Sequence, residues 1–360
     1  MGLKSLLLSS EEKTVRVLRR VLSDLDIDLE DFAASTDVIR RITRHRFEAI
    51  IVDCSDPEDA GNVLSAAKAA PANKRALLIV LVESQLGLKG GFDMGAHFVL
   101  HKPLTVERAK SSFRAVRALM KSERRAQLRI PIQVPVDCVG SAHYKARSLD
   151  LSEGGMALQF LSRKSKESVL RFNFKLPGLD QDVDIWGEVA WEANGVQAGV
   201  RFKDLSAAQR NQIREWLNSQ LPESERDDPP VVCRVVEFSS GGCYLTTCAP
   251  FPKSTRVALL TDRTGRQIRV SGIVRLAHPE FGMGVEFLRS TPEQQEQLRG
   301  MIEILRSSVE APQLQVEPEG LEATFGEQAM SRDTDDVLLT LFRDQAQLPA
   351  KAFLEHMQQL

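Results

Sequence analysis

Arg125-Ala-Gln-Leu-Arg129 is followed twenty-one residues later by Asp150-Leu-Ser152-Glu-Gly154-Gly155. Each arginine carries a planar fork of donors that pairs bidentately with phosphate oxygens or with guanine O6 and N7. The guanidinium also stacks on a purine face. Four residues apart, two arginines share one face of a helix, or stand roughly 13 Å apart in an extended arm. Asp150 can accept from guanine N1–H and N2–H₂, and Ser152 adds a small donor and acceptor beside it. Gly154 and Gly155 suit positive φ and close backbone approach. Arg124 offers a further phosphate contact. Taken singly, an arginine run after a helix is also a solvated linker, and Asp-x-Ser with Gly-Gly is also a hairpin turn.

A second constellation lies earlier. Val52-Asp53 closes one apolar run, and Gly95-Ala96…His101-Lys102-Pro103 closes another. Around them, residues 1–120 alternate short apolar runs (Ser5–Leu8, Ala49–Val52, Ala76–Val82, Phe98–His101) with segments of helical spacing, the last from Val106 to Met120. This alternation predicts an α/β doubly wound parallel sheet, whose ligands sit at the carboxyl ends of the strands. These residues resemble a response-regulator receiver domain. The resemblance implies that Asp53 is a phosphoacceptor and that Lys102 contacts the phosphoryl oxygens. That chemistry needs an acidic pair to hold Mg²⁺, and Ser9-Ser10 stands in its place, with Glu11 beyond. The switch hydroxyl falls on Ser84 only with a slip. The expectation is therefore a pseudo-receiver used for docking, with Asp53 and Lys102 as an ion pair and no metal.

Residues 121–310 change to short alternating strands with glycines between them, and they repeat. Asp150-Leu-Ser152-Glu-Gly154-Gly155 recurs as Glu237-Phe-Ser239-Ser-Gly241-Gly242. Gly187-Glu-Val189…Gly199-Val200-Arg-Phe202 recurs as Gly272-Ile-Val274…Gly284-Val285-Glu-Phe287. A period this long means tandem domains with separate cores. Two small antiparallel β-barrels are expected, each followed by a helix, Ala207–Gln220 and Pro292–Arg306. The RxxxR and DxSxxG halves together resemble the PilZ domain, which the first copy matches well and the second in part. That resemblance implies cyclic di-GMP as ligand, bound through Arg124, Arg125, Arg129, Asp150, Ser152, Gly154 and Gly155.

The second copy has no RxxxR. An acidic, proline-bearing stretch, Glu223–Pro230, precedes it and reads as a linker, and the first strand of the barrel is missing. It is expected to be a degenerate domain that packs on the first copy or on a partner. Residues 311–333, with Pro312, Pro318 and Gly320, read as a flexible linker. Beyond them Val337, Leu338, Leu341 and Phe342, then Phe353, Leu354 and Met357, predict short amphipathic helices. The expected organisation is 1–120 receiver-like, 121–222 intact PilZ-like, 223–310 degenerate, and 311–360 linker and helices.

Forty-seven basic and forty-nine acidic residues give a net charge of −2, which excludes a globally basic nucleic-acid coat. No apolar run approaches the ~20 residues needed to span a bilayer, and Leu6–Leu8 is too short for a secretory signal. Five cysteines (54, 138, 233, 243, 248) form no CxxC pair or zinc framework. The chain is therefore expected to be a cytoplasmic signalling protein without catalytic machinery. It would bind cyclic di-GMP and signal to a protein partner through the receiver-like domain or the C-terminal helices. The alternatives are a phosphorylation-driven regulator and a ligand-independent docking scaffold.

Overall fold

Runs such as Leu6–Leu8, Ile50–Val52 and Leu77–Val82 are apolar at every position, so they can be buried only with helices on both faces of the sheet. The structure, a computed structural model, arranges them that way; it describes residues 2–83, 90–92, 94–162, 167–263, 266–289, 291–307, 312–322, 336–344 and 350–357. Ser84 lies outside these.

The elements of the first segment are β1 (Leu3–Leu8), α1 (Glu12–Ser23), β2 (Ile27–Phe32), α2 (Ser35–Arg44), β3 (Ala49–Asp53), α3 (Pro57–Ala69), β4 (Leu77–Val82), β5 (Phe98–His101) and α4 (Val106–Ala126). The sheet is parallel throughout, in the order β2-β1-β3-β4-β5. It is the doubly wound fold expected from the sequence, and it brings the carboxyl ends of β1, β3 and β5 to one edge. Helix α3 begins at a built cap: the Asp56 carboxylate accepts from the amides of Glu58 and Asp59, with Pro57 in the first turn.

The loop before β5 holds a histidine as a neutral acceptor. His97 Nδ1 accepts from the Leu78 amide at 2.8 Å, and burial, with the charge of Lys68, lowers its pKa from 6.5 to about 4. Unfolding restores the ordinary value, so the unfolded chain binds more protons between these limits. This contribution to stability is present above about pH 6.5 and is lost as pH falls towards 4, at up to about 1.4 kcal/mol per pH unit. Melting temperatures measured from pH 7.5 to 4.5 should fall over this window, and His97→Asn should flatten the fall.

The chain divides into two units, Met1–Glu123 with Asp228–Leu360, and Arg124–Asp227. The second unit contains β6 (Ile130–Pro131), β7 (Pro135–Val139), β8 (His143–Ser152), β9 (Gly155–Phe160), β10 (Val169–Lys175), β11 (Asp182–Ala193), β12 (Gln197–Lys203) and α5 (Ala207–Ser219). Strands β8-β7-β10-β11-β12-β9 close into an antiparallel barrel through the β8–β9 pairing, and β6 pairs with the end of β8 beyond β7. Alternate residues such as Val136, Cys138, Leu170, Phe172, Phe174, Val183 and Ile185 point into its core. Helix α5 starts on a capping box in which Ser206 and Gln209 bond each other's backbone amides.

In the first unit a second barrel follows: β13 (Val231–Phe238), β14 (Gly242–Thr246), β15 (Thr255–Arg263), β16 (Arg266–His278), β17 (Gly282–Phe287), α6 (Pro292–Ser307) and β18 (Gln313–Leu321). Its closed order is β13-β14-β17-β16-β15-β18. The repeat read from the sequence is visible in the register. A bulge between Ser148 and Asp150 recurs between Val235 and Glu237, and one between Val189 and Trp191 recurs between Val274 and Leu276.

One expectation is corrected here. The barrel's missing first strand is replaced from downstream: β18 pairs with β13 and β15 as β7 pairs with β8 and β10. Residues 313–321 are therefore a strand, not linker. Pro318 and Gly320 sit where the β15–β18 register shifts, at a bulge that tolerates both. The barrel packs on α4. Its core is continuous with Phe113, Val116, Leu119 and Met120. Lys121 donates to Asp228 at 2.8 Å, Ser122 to the Pro318 carbonyl at 3.2 Å, and the Leu321 amide donates to Glu123.

The C-terminal helices expected from the pattern are α7 (Val337–Asp344) and α8 (Ala350–Met357). Both bury their apolar faces in a cluster with Tyr244 and Leu276 of this barrel.

Candidate functional site

The arm reaches the Asp-x-Ser turn because β6 pairs with β8, placing Ile130 opposite Leu151 and Pro131 opposite Asp150. Arg124 and Arg125 lie in the last turn of α4 and Arg129 in the extended segment just beyond. The arm thus starts in helix and leaves it before Arg129, rather than being helical throughout.

The two motif arginines meet opposite ends of the turn. Arg129 Nη1 donates to Asp150 Oδ1 at 3.1 Å, with the arginine side chain 56% exposed. Arg125 is buried: its Nε donates to Glu153 Oε1 at 2.7 Å, and its Nη1 donates to Asp227. Arg124 pairs with Glu225 at 3.4 Å. Asp150 also accepts from the Ala157 amide at 3.2 Å across the bulge. The Ser152 hydroxyl donates to the Gly155 carbonyl at 2.9 Å, closing the turn.

The two glycines differ in what they permit. Neither has positive φ, one of the two uses expected of them; the other, close backbone approach, is found at Gly155. A Cβ on Gly155 would stand 2.1 Å from the Val200 carbonyl oxygen, so this glycine lets β9 lie against β12. At Gly154 no described residue beyond its chain neighbours lies within 4 Å of the Cβ position, and the turn is open above it.

Glu153, Glu225 and Asp227 were not singled out from the sequence. The signal was present in the acidic run 223–228, read only as a linker. In the fold it supplies carboxylates to the basic arm. Burial pushes the Asp227 carboxyl above its ordinary value in spite of Arg125 and Arg214. Arg125 therefore holds a carboxylate that water would solvate better.

The edge of the parallel sheet is built differently. Asp53, 6% exposed, accepts from Ser9 Oγ at 2.7 Å, Ser55 Oγ at 2.9 Å and Lys102 Nζ at 2.9 Å. Lys102 also reaches Glu11 at 3.3 Å and donates to Ser55 Oγ at 3.2 Å. Burial disfavours the Lys102 ammonium, yet the hydrogen bonds and charges of Asp53 and Glu11 hold its pKa above the ordinary value. This donor set does not fit Mg²⁺: the carboxylate next to Asp53 is replaced by a hydroxyl, and an ammonium stands against the carboxylates a cation would need.

The family model described as "PilZ domain" matches residues 123–219 and 221–303. No curated protein matches the chain. Among solved structures, the receiver domain of the sensor histidine kinase PA1611 from Pseudomonas aeruginosa PAO1 is similar at 22% identity, over 33% of this chain and 98% of its own, with a TM-score of 0.29. The chemotaxis response regulator CheY4 of Vibrio cholerae is similar at 19% identity over 32% of this chain and 99% of its own, TM-score 0.30. The PilZ domain of CeSA from a cellulose-synthesizing bacterium is similar at 19% identity over 26% of this chain and 97% of its own, TM-score 0.22.

Proposed function

The chain belongs to the PilZ family, and from that premise we propose that it is a cyclic di-GMP-binding signalling effector whose first barrel is the nucleotide site. The observation that supports this reading most is the strand pairing β6–β8, which sets Arg129 and Arg125 at the two ends of a turn that is open above Gly154. Arg129 and Asp150 grip guanine and phosphate edges, and Arg125, with Arg124 behind it, takes phosphate oxygens. Ser152 and Gly155 hold the turn in shape, and Gly154 leaves room for the ligand. The protein acts by binding and passes its state to a protein partner in the cytoplasm. No helix among the described residues is long and apolar enough to cross a membrane.

Coupling follows from where the arginines lie in the chain. Arg124 and Arg125 open the second unit and Asp227 closes it. The Arg125–Asp227 pair thus clips together the two chain crossings to the first unit. A nucleotide that takes Arg125 must release Asp227, and both crossings are then freed to change conformation.

Titration calorimetry of the full chain with cyclic di-GMP tests the reading. Arg129→Ala and Asp150→Ala should each weaken binding ten- to hundredfold, the loss of about 1.5–3 kcal/mol for a charge-assisted contact. Trp186 and Trp191, half exposed on the same barrel, report independently by fluorescence. No heat and no fluorescence change would make the protein a ligand-independent docking scaffold.

A change of opposite sign is expected at the clip. Asp227→Asn removes the carboxylate that competes with the ligand for Arg125, so the same titration should show binding about tenfold tighter, about 1.4 kcal/mol. Hydrogen exchange at residues 121–126 should rise in this variant without ligand, as it should in the wild type with ligand.

A further inference from the structure

The two barrels carry the same motif turn on equivalent strands, but only one of the turns is open. In the first barrel no described residue beyond the chain neighbours stands within 4 Å of the Gly154 Cβ position, and Trp191 is 47% exposed. In the second, the counterpart glycine, Gly241, has Asp336 Oδ2 and a Leu339 methyl each 2.6 Å from its Cβ position. Leu339 also stands over Gly242, and the Phe342 ring lies 2.8 Å from the Cβ position of Gly284, the counterpart of Gly199. Leu276, which replaces Trp191, is 3% exposed. The tail therefore covers the face that the first barrel keeps open.

The contact is specific as well as apolar. Asp336 caps α7 by accepting from the Leu339 amide at 3.1 Å, and its other oxygen accepts from the Gly241 amide of the turn at 2.8 Å. One carboxylate thus fixes both the start of the helix and its place on the barrel. Leu339 and Phe342, three residues apart on one helix face, fill the hollows that the glycines leave. From α8, Phe353 packs on Tyr244 and His278 with ring centroids 5.3 and 4.9 Å away. The tail brings an anion and apolar anchors to a turn that lacks the first barrel's arginine arm.

We propose that this face of the second barrel is a docking site for an amphipathic helix of the form Asp-x-x-Leu-x-x-Phe, and that the chain's own C-terminal segment is its occupant. The motif turn that suits a nucleotide in the first copy has become a helix receptor in the second. A partner that uses this face must present the same acid and apolar anchors and displace the tail. The inference does not depend on nucleotide binding by the first barrel.

The test uses a fluorescent peptide spanning Thr334–Leu360 and the full chain. With the tail disabled by Leu339→Asp, Phe342→Asp and Phe353→Asp, the chain should bind the peptide at least tenfold more tightly than the wild type, whose tethered tail competes at an effective concentration in the millimolar range. Adding Gly241→Val to the disabled chain should abolish this binding. Equal binding by all three proteins, or none by the disabled chain, overturns the proposal. Should the disabled chain fail to fold, the wild type decides: saturating unlabelled peptide should strip hydrogen-exchange protection from residues 338–343, and unchanged protection overturns the proposal.

Discussion

Gly155→Val should destabilise the first barrel by about 3 kcal/mol or more, because its first side-chain atom would stand 2.1 Å from the Val200 carbonyl oxygen. That oxygen belongs to β12, which is held on β9 by the pairings of Met156 with Val200 and of Gly155 with Arg201. Neither backbone can retreat without opening the barrel. The neighbouring Gly154→Ala should change stability by no more than about 0.5 kcal/mol, since its side chain enters open space. Thermal melts followed through Trp216, which is buried and donates to the Pro177 carbonyl at 3.1 Å, would compare the two. Similar melting for both variants would disprove the structural division between the glycines.

The second large effect is expected at Lys102. Lys102→Met leaves the Asp53 carboxylate buried without its cation, which should cost about 3–5 kcal/mol of stability. Ser9 and Ser55 still donate to it, but two hydroxyls do not offset a buried charge. Asp53→Asn combined with Lys102→Met removes both charges and should recover most of the loss. A denaturant-melt cycle over the four proteins measures the coupling. A small effect of Lys102→Met alone would mean that Asp53 is solvated, and the picture of a closed ion pair would fail.

Much of this was legible in the sequence, for physical reasons that can be named. The buried strands β1, β3 and β4 announce themselves because a parallel sheet covered on both faces leaves no room for polar alternation. Strand β2 went unread: Ile27–Phe32 carries Asp28, Glu30 and Asp31 because an edge strand faces solvent. The barrel repeat was legible because its glycines are fixed by strand-to-strand approach. Strand β18 was not, since only Leu314 and Val316 alternate inward before the bulge admits Pro318 and Gly320.

At the candidate site, Arg125, Arg129 and Asp150 were recognisable by type and spacing. Their partners were not, because no local pattern says that Asp227, 102 residues beyond Arg125, folds back onto it. Of the two uses expected of the motif glycines, positive φ and close backbone approach, the first is not taken up. The fold uses glycine's small size instead, at Gly155.

The closure of the second barrel by β18 also sets an order of events at the ribosome. The first barrel's residues, 124–227, are complete while the second barrel still lacks all of its strands. The second barrel cannot close until Leu321 has emerged. Until then β13 and β15 present the edges that β18 will cover, exposed to neighbouring nascent chains. The base of α4, which Pro318 and Leu321 secure through Ser122 and Glu123, waits on the same strand. A ribosome that stalls or terminates before residue 321 would release a chain with one finished barrel and one sticky open sheet.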